Sequence, residues 1–157
     1  ANLCATIANR GYYYIPHLIK DSGDITIDPK YKERQYTMVD TTWFPEVIEG
    51  MYRAVNSGYN SGGTATIAAG KGLDICGKTG TAQNPRGDDN SVFICFAPKD
   101  DPKIAVAAYV ENGSFGARWA APIASLLVEK YLKGEISRPA LEQRILEGNL
   151  LDKVKTD

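Results

Sequence analysis

Apolar residues recur along this chain with two different periods, and the switch between them marks out its elements. Phe44, Val47, Ile48, Met51, Tyr52 and Val55 fall at i, i+3, i+4, i+7, i+8 and i+11. That is one continuous apolar face of a helix predicted over residues 43–57. Glu49 and Arg53 form an i,i+4 pair on its polar side, and Gly58 supplies a stop. A first helix is predicted over residues 2–10, ended by Gly11, which can take the left-handed conformation after a helix. Residues 12–19 are aromatic and β-branched, and Pro16 restricts them to an edge or extended segment. Residues 20–36 are polar, carry Ser22-Gly23-Asp24 and Pro29, and read as a surface excursion. Residues 60–63 read as a loop.

Three strand-like runs follow in close order, over residues 73–82, 91–97 and 103–111. Their connectors, 84–90 and 98–102, are too short for crossover helices, so antiparallel hairpins are expected. Residues 91–97 and 104–110 are apolar at nearly every position, a pattern that predicts burial on both faces of the sheet. A long helix is predicted over residues 118–133, with Trp119, Ile123, Leu126, Leu127 and Tyr131 as its apolar stripe and Gly134 as its stop. Pro122 lies in its first turn or kinks it. A short helix signal over residues 139–146 precedes a polar tail. The expected class is α+β, an antiparallel β-sheet flanked by helices.

Composition narrows the classes without naming one. At 157 residues the chain suits one domain, and 43% hydrophobic with 24% charged residues is ordinary for a globular protein. A net charge of -1 gives no field that would favour nucleic acid or an anionic membrane. No run approaches the roughly 20 apolar residues of a membrane span, and the chain reads as soluble. Cys4, Cys76 and Cys95 are too few and too scattered for a disulfide framework or zinc cluster. Each has apolar neighbours and reads as a buried free thiol, with a Cys76–Cys95 bridge as the alternative. No metal or cofactor is expected. The single histidine, His17, reads as a packed or surface residue, which leaves no place for a Ser-His-Asp or Cys-His mechanism.

The specific chemistry lies within residues 72–83. Gly72-Leu-Asp-Ile-Cys-Gly77-Lys78-Thr79 matches G-x-x-x-x-G-K-[ST], the lettering of a nucleotide-binding P-loop. A P-loop needs a helix starting at the lysine, whose first amides hold phosphate. Here Leu73, Ile75 and Cys76 favour a strand, and Gly80, Asn84, Pro85 and Gly87 do not propagate a helix. The other reading places Lys78-Thr79-Gly80 on a strand as a K-T-G element. By average usage such a triplet arises in a chain of this length with a probability of roughly a few per cent, so its surroundings must carry the case.

Those surroundings are a hairpin opened by Gly77-Lys-Thr-Gly-Thr-Ala-Gln83, then Phe93-Ile-Cys-Phe-Ala-Pro98, then Pro102-Lys-Ile-Ala-Val-Ala-Ala-Tyr-Val-Glu-Asn112, then Ala120-Ala-Pro-Ile-Ala124. The succession resembles the C-terminal part of the class B penicillin-binding proteins, most nearly the penicillin-binding protein 2 type. Ala8-Asn9-Arg10-Gly11 with Pro16-His17-Leu18, and Glu49-Gly50-Met51 before Gly63-Thr64-Ala65, resemble upstream pieces of the same family. The family often has a histidine near the start of the strand after the K-T-G hairpin, where this chain has Asn90-Ser91.

The resemblance implies a partial β-lactamase/transpeptidase-like fold over residues 1–134, with 135–157 as a C-terminal extension. It implies that Lys78, Thr79, Gly80 and Thr81 bind substrate, with Lys78 offering positive charge and the threonines donors to a substrate or β-lactam carboxylate. The Thr81 backbone N–H is implied as an oxyanion-hole donor. Gly80, lacking a Cβ, would let a ligand backbone lie against the strand. Lys78 and Gly80 are expected on one face of the strand and Thr79 and Thr81 on the other.

No serine here has a lysine three residues later, and Ser-x-Asn does not occur. The nucleophile and its base are therefore expected to precede Ala1 in a longer protein, with this chain alone inactive. The implied parent is a serine-type D,D-transpeptidase that cross-links peptidoglycan stem peptides, binds β-lactams and works with proteins of the cell-wall elongation complex. It would sit on the periplasmic side of the bacterial inner membrane, anchored by its N-terminal part. A non-enzymatic β-lactam receptor domain is the rival reading.

Overall fold

A computed structural model describes residues 1–19 and 26–150. Its frame is a three-stranded antiparallel sheet of β3 (Cys76–Ala82), β4 (Asn90–Ala97) and β5 (Ile104–Val110), in spatial order β3-β4-β5. Helices α1 (Asn2–Ala8) and α2 (Phe44–Asn56) pack on one face, and α3 (Ala120–Lys133) packs on the other. A two-residue ribbon of β1 (Tyr12–Tyr13) and β2 (Gln35–Tyr36), a final helix α4 (Pro139–Leu146) and four short 3-10 turns make up the other described elements. This is the expected α+β class, an antiparallel β-sheet flanked by helices.

The pleat of β4 divides the core in two. Phe93, Cys95 and Ala97 point toward α3 and meet Ala120, Ala121, Ala124 and Val128. Phe96, with Cys76 across the register from it, points the other way and meets Cys4, Ala8, Phe44, Ile48 and Met51 of α1 and α2. Phe93 and Phe96 are wholly buried, each removal from water being worth roughly 1.5–3 kcal/mol. The same pleat separates Cys76 from Cys95 onto opposite faces. The bridge between them does not form, and all three cysteines are free and buried.

Several expectations shift. The first helix is shorter than residues 2–10, because the chain turns left-handed at Arg10 (φ 57°) as well as Gly11 (φ 111°). Only Tyr12–Tyr13 of the 12–19 segment is strand. Its partner, Gln35–Tyr36, lies in the stretch read as a surface excursion, part of which (20–25) is outside the described residues. The helix expected over 43–57 is α2, but Gly58 does not stop it: Ser57 turns extended at ψ 145°. Val47, placed in the core by periodicity, is 47% exposed.

The strand expected from residue 73 starts at Cys76, because Asp74 sits in the left-handed region (φ 44°) and breaks the run. β5 is not buried on both faces: Ala107 and Tyr109 are exposed, since the helices cover β4 more fully than this outer strand. The largest revision concerns α3. Of its predicted stripe, Leu126 is buried but Leu127 and Tyr131 are exposed, and the rest of the buried face is Ala120, Ala121, Pro122, Ala124, Ser125, Val128 and Glu129. Small residues let the helix axis approach a sheet whose own side chains, Phe93 among them, fill the space. Pro122 lies in the first turn, and Gly134 ends the helix at φ 77°, as expected.

Candidate active site

Lys78, Thr79, Gly80 and Thr81 occupy the middle and end of β3, opposite Ile94, Phe93, Val92 and Ser91. No helix begins at Lys78, so the amides of a helix N-terminus are not offered to a phosphate, and the P-loop reading falls. β3 is the outer strand of its sheet, and among the described residues nothing pairs with its other edge.

Two constraints hold β3 in place. Asn56, at the end of α2, donates from Nδ2 to Ile75 O at 2.9 Å, fixing where the strand begins. Gly77 then allows β3 to lie against the core. A Cβ there would fall inside Phe93 Cζ and 2.9 Å from Phe93 Cε2. Gly80 is different, because its Cβ would meet only Val92, at 3.4 and 3.7 Å. Internal packing demands glycine at 77 and leaves room for a side chain at 80.

The polar groups gather at the open edge. Lys78 Nζ bends over to donate to Thr79 O at 2.9 Å and to Thr79 Oγ1 at 3.4 Å, although pleating starts the two side chains on opposite faces. Thr79 Oγ1 in turn lies 3.5 Å from Thr64 Oγ1. Lys78 makes no ion pair among the described residues, so its charge is held by neutral oxygens and can be offered to an anion. In an antiparallel ladder, residues two apart turn their backbone polar groups the same way. With the Thr79 carbonyl taken by Lys78 at the free edge, the Thr81 N–H faces that edge too. Beside the strand lies an open groove of about 560 Å³, walled by α1, α2 and β4 through Ile7, Met51, Ala54 and Ile94, with Thr64 and Lys78 at its polar end.

Thr64 carried no signal in the sequence beyond its place in the Gly63-Thr64-Ala65 resemblance. It reaches the site because the backbone after α2 folds back, with Ala65 N donating to Ala54 O at 2.8 Å. Other polar candidates lie elsewhere. His17 is exposed, its Nδ1 2.8 Å from Ile15 O and its ring 5.1 Å from that of Tyr31. Burial pushes the thiols of Cys4, Cys76 and Cys95 up to about 12, which keeps them protonated and poor nucleophiles at neutral pH. Ser91, Ser125 and Ser137 spend their hydroxyls on internal bonds.

The penicillin binding protein transpeptidase domain family matches residues 1–129. The chain belongs to that family. It is 34% identical over 149 residues to the peptidoglycan D,D-transpeptidase PbpA of Mycobacterium tuberculosis, covering 86% of this chain and 29% of that protein. It is 29% identical over 153 residues to the peptidoglycan D,D-transpeptidase MrdA of Haemophilus influenzae, covering 84% of this chain and 23% of that protein. Among solved structures, the imipenem acyl-enzyme complex of M. tuberculosis penicillin-binding protein A aligns at TM-score 0.66 and 31% identity, over 84% of this chain and 29% of its own. Pseudomonas aeruginosa PBP2 in complex with WCK 5153 aligns at TM-score 0.64 and 32% identity, over 87% and 30%. The chain thus spans about a quarter of the length of the curated relatives it matches, and its fold is part of the transpeptidase domain fold.

Proposed function

We propose that this chain is the C-terminal portion of a peptidoglycan D,D-transpeptidase and supplies the substrate-gripping strand of its active site. In that reaction a serine outside these 157 residues attacks the carbonyl between the two D-alanines of a stem peptide. The terminal D-alanine leaves and an acyl-enzyme forms. The amine of a second stem then takes the acyl group and frees the serine. The stem peptide lies along the open edge of β3, Lys78 meets its terminal carboxylate, and Thr79 adds a hydroxyl donor. Gly80 leaves room for its backbone, and the Thr81 N–H donates to the developing oxyanion. A β-lactam carries the same carboxylate and acylates the same serine.

Residues 1–134 belong to the catalytic domain and 135–157 to a C-terminal extension. The whole protein works on the periplasmic side of the bacterial inner membrane beside proteins of the elongation complex, held there by its N-terminal part. The observation that carries this reading is Lys78, free of any carboxylate among the described residues, beside outward-facing Thr79 and Thr81 on a free strand edge. The relatives' names favour an enzyme over a β-lactam receptor. The test is intact mass spectrometry after incubation with penicillin. This chain alone gains no mass, the full-length protein gains one penicillin, and Lys78→Ala slows that acylation by at least tenfold. A stoichiometric adduct on the chain alone, or unchanged acylation of Lys78→Ala, would overturn the proposal.

A further inference from the structure

The segment between β5 and α3 is bound to the rear of the gripping strand more closely than a connecting loop requires. Ser91 stands directly across the register from Thr81 and is fully buried. Its hydroxyl donates to Phe115 O at 2.9 Å and accepts from Ala120 N at 3.1 Å, holding both the loop and the start of α3. Neighbouring Asn90 accepts from Asn112 N at 3.1 Å, and Asn84 Nδ2 donates to Asn112 Oδ1 at 2.9 Å. Asn112 and Ser114 are both left-handed, at φ 53° and 59°, a local cost that these bonds offset. The loop so held brings buried Gly116 against β3. A Cβ on Gly116 would overlap Val92 O, stand 2.9 Å from Gly80 O and lie 3.0 Å from Thr79 Cβ. One face of the Thr79–Thr81 backbone is therefore supported by a second, rigidly held piece of main chain.

We propose that Ser91 and Gly116 are positioning residues for acyl transfer: through the 112–119 loop they fix the height of the Thr81 amide above the free edge of β3. The inference rests on the transpeptidase reading. Both residues are buried, Ser91 wholly, so they act on the strand from its covered side. An oxyanion donor misplaced by a fraction of an ångström loses most of its effect on the transition state while leaving ground-state binding nearly intact.

The experiment measures β-lactam acylation of the full-length protein, separating the dissociation constant of the initial complex from the first-order acylation rate. Ser91→Ala is expected to lower the acylation rate by roughly 10- to 100-fold with less than about a threefold change in dissociation constant. Gly116→Ala is expected to act in the same sense and more strongly. Lys78→Ala should weaken the initial complex as well. Val128→Ala, which opens a cavity in the α3 core away from β3, is the control for general destabilisation and should acylate at the normal rate per active site. Ser91→Ala removes a single oxygen, so the inference stays testable even if Gly116→Ala does not fold. A normal acylation rate in Ser91→Ala, or a loss matched by Val128→Ala, would overturn the inference while the transpeptidase reading stands. No acylation of the unsubstituted protein would overturn both.

Discussion

Arg138→Ala is the substitution whose cost the structure defines best. Glu129 is 1% exposed on the inner side of α3. Arg138 Nε donates to its Oε2 at 2.9 Å, Ser137 Oγ donates to its Oε1 at 2.5 Å, and Lys133 Nζ stands 3.6 Å away. The remaining guanidinium nitrogens hold Ala69 O at 3.2 Å, Ser125 Oγ at 3.2 Å and Ser125 O at 3.0 Å. Removing the arginine leaves the buried carboxylate with only Ser137 and the more distant Lys133 and takes the donor from three acceptors, and breaking a buried pair from one side costs about 3–5 kcal/mol. In a chain of this size that lowers the melting temperature by roughly 6–20 °C.

The pH dependence supplies a sharper test. Burial alone would raise the Glu129 pKa. The bonds from Ser137 and Arg138 and the charge of Arg138 outweigh it and hold the group below its ordinary 4.5. A depressed carboxyl contributes fully above the unfolded value, and its contribution is lost as pH falls below it. In Arg138→Ala the bond and charge of the guanidinium are lost while burial remains, so the pKa moves up from its depressed value. The variant then has less of this contribution to lose in acid than the native chain has. The gap between the two proteins should be widest near neutral pH and narrow below about pH 5. Urea unfolding from pH 4 to 8 measures this. A gap under about 1 kcal/mol at neutral pH, or one that widens in acid, would refute the reasoning.

Three further outcomes follow from other parts of the fold. Gly77→Ala forces a methyl onto Phe93 and should cost about 1–3 kcal/mol in chemical denaturation. Glu49→Gln removes the carboxylate charge that faces Lys99 at 2.7 Å and Arg53 at 2.8 Å, but these pairs are solvated, and the same measurement should show a far smaller loss than Gly77→Ala. A thiol reagent at pH 8 should leave Cys4, Cys76 and Cys95 unmodified in the native chain and label all three in urea; rapid labelling without denaturant would contradict their burial.

The sequence by itself determined what depends on short-range order. Helix periodicity placed Ile48, Met51 and Val55 inward, the lengths of two connectors made β3, β4 and β5 antiparallel, and Gly134 ended α3. The placement of Lys78, Thr79, Gly80 and Thr81 on a strand was also legible, because the residues before them favour a strand and those after them do not propagate a helix. Tertiary structure decided the rest. The facing surface of α3 turned on the volume left by Phe93 and Cys95, so Ala120, Ala124 and Val128 won the interior over larger Leu127 and Tyr131. Ser91, Thr64 and Gly116 entered the neighbourhood of the site only through contacts between positions 10 to 37 apart, such as Ser91 with Thr81, Thr79 with Thr64 and Gly116 with Thr79. A local pattern records which residues are able to face a common side. Which of them meet is set by packing between elements that no local pattern encodes.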